Sequence, residues 1–364
     1  MQVFFRVDAS IEIGTGHVMR CLTLAHALSA LGARCQFMCR AHPGNLLDLV
    51  RKSGFIAHGL SLPEESCKPV RSSDPPHYVD WLGATPAQDA TDCASILQLS
   101  EVDLLVVDHY ALDATWESLL KPHVGKIMVL DDLAQRPHSC DILMDQNAGR
   151  HEIDYAGLVP TECTLYTGPK FALLRPEFAQ YRPSSLQRRR YPALKNLLVS
   201  LGGVDKENHT SRVLEALNYC CLPPACHITV IMGARAPWIE EVKMTAVDCH
   251  RPTEVRVDVD CMASIMSASD LAIGAVGMTA LERCSLGLPS LAVVTAANQV
   301  AGAKALEALG ALVILDNRSK FQAELVEKLS LHSTPSRLSE MQRSCAGIVD
   351  GTGATVLSRA LVHD

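Results

Sequence analysis

The stretch that decides the fold is the first, MQVFFRVDASIEIGTGHVMRCLTLAHALSALG, at positions 1–32. Val3, Phe4, Phe5 and Val7 make a short apolar run that ends at Asp8, and Gly14 and Gly16 then break the chain. From His17 onward, apolar residues recur at Val18, Cys21, Leu22, Ala25 and Leu28, the spacing of one helical face. Gly32 stands where such a helix would stop. The segment reads strand, glycine loop, helix.

The same reading returns at 196–218, NLLVSLGGVDKENHTSRVLEALN. Around these two openings the pattern alternates. Strands are expected over 34–38, 55–58, 103–108, 126–131 and 141–144 in the first half, with helices over 45–52, 87–99 and 114–120. The second half is expected to place strands at 227–232, 270–273, 290–294 and 312–315. Its helices are expected at 238–245, 278–286, 299–309, 322–330, 335–349 and 355–361. Positions 61–88, rich in Pro, Ser and Glu, read as a long loop or insertion. Positions 184–192, with a run of three arginines between Pro183 and Pro192, read as a solvated linker. Alternating strands and helices mean α/β units with parallel sheets. The expectation is two Rossmann-like domains, 1–183 carrying the catalytic base and 193–364 binding a nucleotide, facing across a cleft at the carboxyl ends of their strands.

Composition excludes other classes. At 364 residues the chain is long enough for two cores at about 150 residues per domain. With 48% hydrophobic and 20% charged residues it is neither disordered nor fibrous. Lys+Arg 33 against Asp+Glu 40 leaves −7, so no overall basic field invites nucleic acid. No run of 18 apolar residues offers a membrane span, and the N-terminus enters a strand without a basic start or long apolar run. A cytoplasmic protein without membrane insertion is the expectation. The 14 cysteines contain no CxxC pair and read as buried thiols rather than a disulfide or metal framework.

Four motifs carry chemistry. In Ile13-Gly14-Thr15-Gly16-His17, a glycine turn lets backbone approach a ligand at a helix start, and histidine is the residue type whose ordinary pKa suits a general base, which makes His17 the candidate. The alternative is a histidine that merely begins a helix. Asp108-His109-Tyr110 and Asp131-Asp132 stand at strand ends, where they could orient a base or bind sugar hydroxyls, or simply turn the chain. Gly202-Gly203, before Asp205 and Asn208, suits a diphosphate at a helix N-terminus and lacks the lysine of a P-loop. Gly277 and Thr279 offer donors at another helix start, with Glu282 one turn on and able to accept from a ribose diol.

Glycine loop, downstream helix with Glu282, LGLP at 286–289 and Asn298-Gln299 together resemble the nucleotide-binding half of GT-B glycosyltransferases that use UDP-N-acetylglucosamine. Within that superfamily, Arg6-x-Asp8, IGTGHVMRC, DHY, CDIL with DQN, GPKFALLRPEF and LVSLGGVD resemble one group, in order from Arg6 to about Leu309. That group is the UDP-2,4-diacetamido-2,4,6-trideoxy-β-L-altropyranose hydrolases of pseudaminic acid synthesis. Relatives assigned to spore-coat polysaccharide synthesis share the motifs, which leaves the sugar open. The segment 61–88 and the tail beyond 315 are longer than in compact members of the group.

The resemblance implies that His17 is the catalytic base, with Tyr110 beside the reacting sugar. It leaves open whether Tyr110 or Asp108 assists His17. It further implies that Asn208 binds substrate and Glu282 the nucleotide. Asp8, Gly14, Gly16, Gly202, Gly203, Gly277 and Thr279 complete the expected substrate-binding set. No cofactor and no metal are expected. The partner is a small UDP-sugar, and the oligomeric state is left open. Three activities compete: a UDP-sugar hydrolase, a GT-B glycosyltransferase and a non-catalytic binding module. UDP release without an acceptor separates the first, and His17 argues against the last.

Overall fold

A computed structural model describes residues 1–63, 78–316 and 320–363. The chain divides into two compact units, 1–173 with 353–364, and 174–352.

Unit 1 is a seven-stranded, all-parallel sheet in the order β3-β2-β1-β4-β5-β6-β7. Its strands are β1 (Gln2–Val7), β2 (Arg34–Arg40), β3 (Ile56–Leu60), β4 (Leu104–Asp108), β5 (Lys126–Leu130), β6 (Ile142–Asp145) and β7 (Thr164–Thr167). The helices are α1 (Gly16–Ser29), α2 (Leu47–Lys52), α3 (Pro86–Leu97) and α4 (Ala114–Leu120). Val3, Phe5 and Val7 pack on the α1 side, while Phe4 faces the layer that holds Leu97 and Trp116. Both faces are covered, which is why the strands read as continuous apolar runs rather than alternating ones.

Unit 2 repeats the plan with six parallel strands, β10-β9-β8-β11-β12-β13. These are β8 (Asn196–Ser200), β9 (His227–Met232), β10 (Thr253–Val257), β11 (Leu271–Ala275), β12 (Ser290–Val293) and β13 (Leu312–Leu315). Helices α5 (Pro176–Arg188), α6 (His209–Leu217), α7 (Ile239–Val247), α8 (Met262–Ala268), α9 (Met278–Ser285), α10 (Val300–Ala308), α11 (Phe321–His332) and α12 (Pro335–Ile348) surround it. In both sheets the order reverses beside the first strand, between β1 and β4 and between β8 and β11. Open α/β sheets bind ligands at the carboxyl ends of such a switch point.

Several expectations change. The expected linker at 184–192 begins as the last turns of helix α5, and Arg182, Arg188 and Arg189 in and just after this helix are structural. Arg182 donates to the carbonyls of Ser285, Ala346 and Val349, and Arg189 to those of Met266, Ser269 and Leu286. These are carbonyls at helix ends, where the helical ladder runs out and cationic side chains satisfy the acceptors well. Arg188 pairs with Asp270 at 2.6 Å. The chain passes between units at 173/174 and again at 352/353, not near 183–193. The final helix, α13 (Gly353–His363), returns to unit 1 and adds Ala354, Leu357 and Leu361 to the core beneath α1. Gly353 is required there: a Cβ would strike the backbone of Phe171 and Ala172. Of the expected loop at 61–88, residues 64–77 lie outside the described residues; a 3-10 turn spans Tyr78–Leu82 and α3 begins at Pro86. Among the described residues no helix is long and apolar enough to cross a membrane.

Candidate active site

The densest polar chemistry lies at the β1/β4 switch point of unit 1. Strand pairing sets Val7 beside Asp108. Helix α1 then brings His17, Arg20 and Cys21 onto one face, since residues three and four apart on a helix are neighbours. All three reach Asp108. His17 Nδ1 lies 2.6 Å from Asp108 Oδ1, Arg20 donates to both carboxylate oxygens at 2.6 and 2.7 Å, and Cys21 Sγ lies 3.5 Å from Oδ2.

Burial alone would raise the Asp108 carboxyl, but the charges and hydrogen bonds of Arg20 and His17 outweigh it and hold it well below the usual carboxylate range. An ionised Asp108 only accepts hydrogen bonds, so the 2.6 Å contact makes it the acceptor toward His17 Nδ1. The neutral His17 ring therefore carries its proton on Nδ1, toward Asp108, and its Nε2 is left as an acceptor. That is the tautomer a general base needs.

A second layer holds this pair. Arg20 also donates to Asp132 at 2.9 Å, and the Tyr110 hydroxyl donates to Asp132 Oδ2 at 2.6 Å. Asn147, of the DQN motif, bridges Asp132 and Asp145 with its amide at 3.1 and 2.8 Å. Burial, then the nearby Asp132 charge, raises the Asp145 carboxyl to about 6. The Tyr110 ring meets His17 edge-on at 4.7 Å between centroids. Tyr110 thus contacts His17 through its ring while its hydroxyl serves Asp132. Asp108 is the residue bonded to the imidazole.

Asp8, expected among the substrate-binding residues, is sealed instead. It is 0% exposed, takes a bidentate pair from Arg6 at 2.6 and 2.8 Å, and accepts from the Arg40 amide at 2.7 Å. Arg6 reaches on to Asp89 of α3, so this cluster fastens the sheet to its helical layer. His109 also packs here. Its Nδ1 accepts from the Ala111 amide, its Nε2 lies 3.5 Å from Asp8, and burial lowers its pKa to about 4.

Gly14 turns the chain at φ 81° and its amide donates to the Ser10 carbonyl at 2.9 Å; Gly16 is the first residue of α1. Sequence reasoning missed Arg20, although its i,i+3 spacing from His17 within GHVMR was the available signal.

Unit 2 presents the counterpart switch point. Gly202 and Gly203 follow β8, and the φ of 99° at Gly202 is one that only glycine adopts freely. The start of α6, expected to receive a diphosphate, is already capped. Asp205 accepts from the His209 and Thr210 amides at 2.9 and 2.8 Å, and Asn208 from that of Ser211. Asn208, expected to bind substrate, spends its amide on this cap and on Glu241 at 2.7 Å. At β11 the picture differs. Gly277, at φ 139°, opens α9 with no side-chain cap and no acidic residue in the first turn. The Thr279 hydroxyl lies 3.4 Å from the Ala275 carbonyl. Glu282 is 12% exposed and lies 3.7 Å from Arg175; burial raises its carboxyl and Arg175 offsets part of that rise. Among the described residues, no cluster of three or more His, Cys, Asp or Glu side chains is arranged to hold a metal ion.

Two parallel-sheet Rossmann-like units define a GT-B fold. The crystal structure of MurG from Acinetobacter baumannii matches with a TM-score of 0.72 at 14% identity, covering 100% of this chain and 99% of that one. In sequence, the chain is similar to the UDP-2,4-diacetamido-2,4,6-trideoxy-beta-L-altropyranose hydrolase of Campylobacter jejuni. The two are 27% identical over 271 residues, 74% of this chain and 83% of that protein. It is also 28% identical over 192 residues to the spore coat polysaccharide biosynthesis protein SpsG of Bacillus subtilis, covering 52% of this chain and 55% of that protein. No family model matches.

Proposed function

We propose that this protein is a cytoplasmic, metal-independent hydrolase that cleaves a UDP-linked 2,4-diacetamido-2,4,6-trideoxy sugar to UDP and free sugar, as a step toward a nonulosonic acid of the pseudaminic type. The carrying observation is the 2.6 Å contact from His17 Nδ1 to an ionised Asp108, which leaves Nε2 ready to accept a proton. The similarity to a hydrolase of that specificity supports the substrate.

In this reading His17 Nε2 takes a proton from a water molecule as the water attacks the anomeric carbon. The imidazolium so formed is stabilised by Asp108, and Arg20, itself held by Asp132, keeps Asp108 ionised and in place. A nucleoside diphosphate leaves as a stable anion, so no second carboxylate is needed to protonate it, unlike an ordinary glycosidase. The bond broken is carbon–oxygen, with inversion. Glu282 accepts from the ribose diol, and the uncapped start of α9 at Gly277 and Thr279 receives phosphate oxygens. The Gly202-Gly203 turn brings backbone close to the diphosphate.

Incubation of the pure protein with the UDP-sugar and no acceptor tests this. UDP release, with label from oxygen-18 water found in the sugar, is expected. Release only upon addition of a sugar or lipid acceptor would make the protein a GT-B glycosyltransferase. Label in the UDP phosphate would overturn carbon–oxygen cleavage.

A further inference from the structure

Beside His17 lies an aromatic cluster that the mechanism leaves unused. The 3-10 turn Tyr78–Leu82 has three residues per turn, so Tyr78 and Trp81 share one face while Leu82 is fully buried as its anchor. That shared face meets Tyr110. Tyr78 lies edge-on to Tyr110 at 5.0 Å and edge-on to Trp81 at 5.0 Å. Trp81 stacks on Tyr110 at 5.8 Å with 27° between planes. Tyr110 in turn touches His17. Arg136, paired with Asp131 at 3.0 Å, sits 5.8 Å from the Tyr110 ring centre. Tyr78 and Trp81 are both half-buried, and each packs on the Tyr110 ring that meets His17.

We propose that Tyr78 and Trp81, backed by the ring of Tyr110, form an aromatic wall that receives the methyl-bearing substituents of an N-acetylated, deoxygenated pyranose while its anomeric carbon meets His17. This rests on the function proposed above and adds the residues that select the sugar. The charged groups nearest His17, namely Asp108, Arg20 and Asp132, are engaged with one another. What the turn adds beside them is ring surface, which rewards C–H faces and methyl groups and leaves hydroxyls without partners. A pyranose rich in acetamido and deoxy positions fits that surface; one with free hydroxyls at C4 and C6 does not. Hydrophobic selection of this kind discriminates by about 10- to 200-fold per group.

The test compares Trp81→Leu, Tyr78→Leu and the conservative Trp81→Phe with the unaltered chain. Two donors are used: the UDP-linked diacetamido-trideoxy sugar and UDP-N-acetylglucosamine. Saturation-transfer NMR on the corresponding free sugars adds a readout that needs no turnover. Expected are a roughly 10- to 100-fold fall in kcat/KM for the first donor in the leucine variants and less than about 3-fold for the second. Recovery in Trp81→Phe is expected, as is saturation transfer to the methyl protons that the leucine variants lose. Equal losses on both donors would reduce the cluster to a packing element and overturn the proposal, as would methyl saturation transfer unchanged by the leucine substitutions. If no donor is hydrolysed by the unaltered chain, the proposed function falls, and the NMR comparison still decides the wall.

Discussion

The two switch points share a topology and little else. In unit 1, the ends of β1 and β4 carry charge in depth: Arg6 with Asp8, and Asp108 with His17 and Arg20, the last reaching on to Asp132. In unit 2, the ends of β8 and β11 carry glycines, and Asp205, a carboxylate aimed at a helix start, is consumed in capping α6. In the function proposed above, one end moves a proton and the other presents backbone. A side chain that must titrate needs its tautomer and charge set by buried partners, whereas a phosphate is met by amide N–H groups that close backbone approach exposes.

The sharpest way to break this contrast is His17→Ala. Loss of a general base costs about 100- to 10,000-fold in kcat. UDP affinity, measured by calorimetry, should stay within about 2-fold; a comparable loss of affinity would mean the two regions do not divide the work. Next is Asp108→Asn, which keeps the shape but removes the charge that orients His17 and pairs Arg20. A fall of roughly 100-fold in kcat is expected, together with destabilisation of up to about 3 kcal/mol in urea unfolding, because Arg20 loses a buried partner. Unchanged kcat would show that Asp108 only holds the fold. Glu282→Ala probes the other side. It should raise KM about 10-fold with kcat nearly constant, the mark of an interaction made equally in ground and transition states.

A smaller effect concerns His109. Burial lowers its pKa to about 4, against about 6.5 in an unfolded chain. The unfolded chain therefore takes up this proton first. The stability His109 contributes is full above pH 6.5 and is lost as pH falls toward 4, by up to about 3 kcal/mol. In His109→Gln the decline over that window should flatten; an unchanged slope would assign it elsewhere. The smallest is Asp205→Ala, expected to cost about 1 kcal/mol of thermal stability through the lost cap of α6. Any gain in UDP affinity upon exposing that helix start would show that Asp205 guards a phosphate site.

The alternation of strands and helices, the two glycine-loop openings and His17 at a helix start were all legible in the chain, because each is local. Periodicity and punctuation act within one or two turns of their own residues. Short or edge elements escaped that reading: β7 and β10 are four and five residues long. Helix α5 carries Pro183 and little apolar pattern, and is held by arginine bonds to helix ends far along the chain.

The site divides the same way. Sequence alone determined that a histidine stands where a strand hands over to a helix. Tertiary structure decided that Asp108, 91 positions away, is its partner rather than Tyr110, that Asp8 is sealed by Arg6, and that Asp205 closes the start of α6. Those outcomes depend on which strands lie side by side and which charges burial forces to pair. Strand order and burial belong to the packed sheet, not to any window of residues within it.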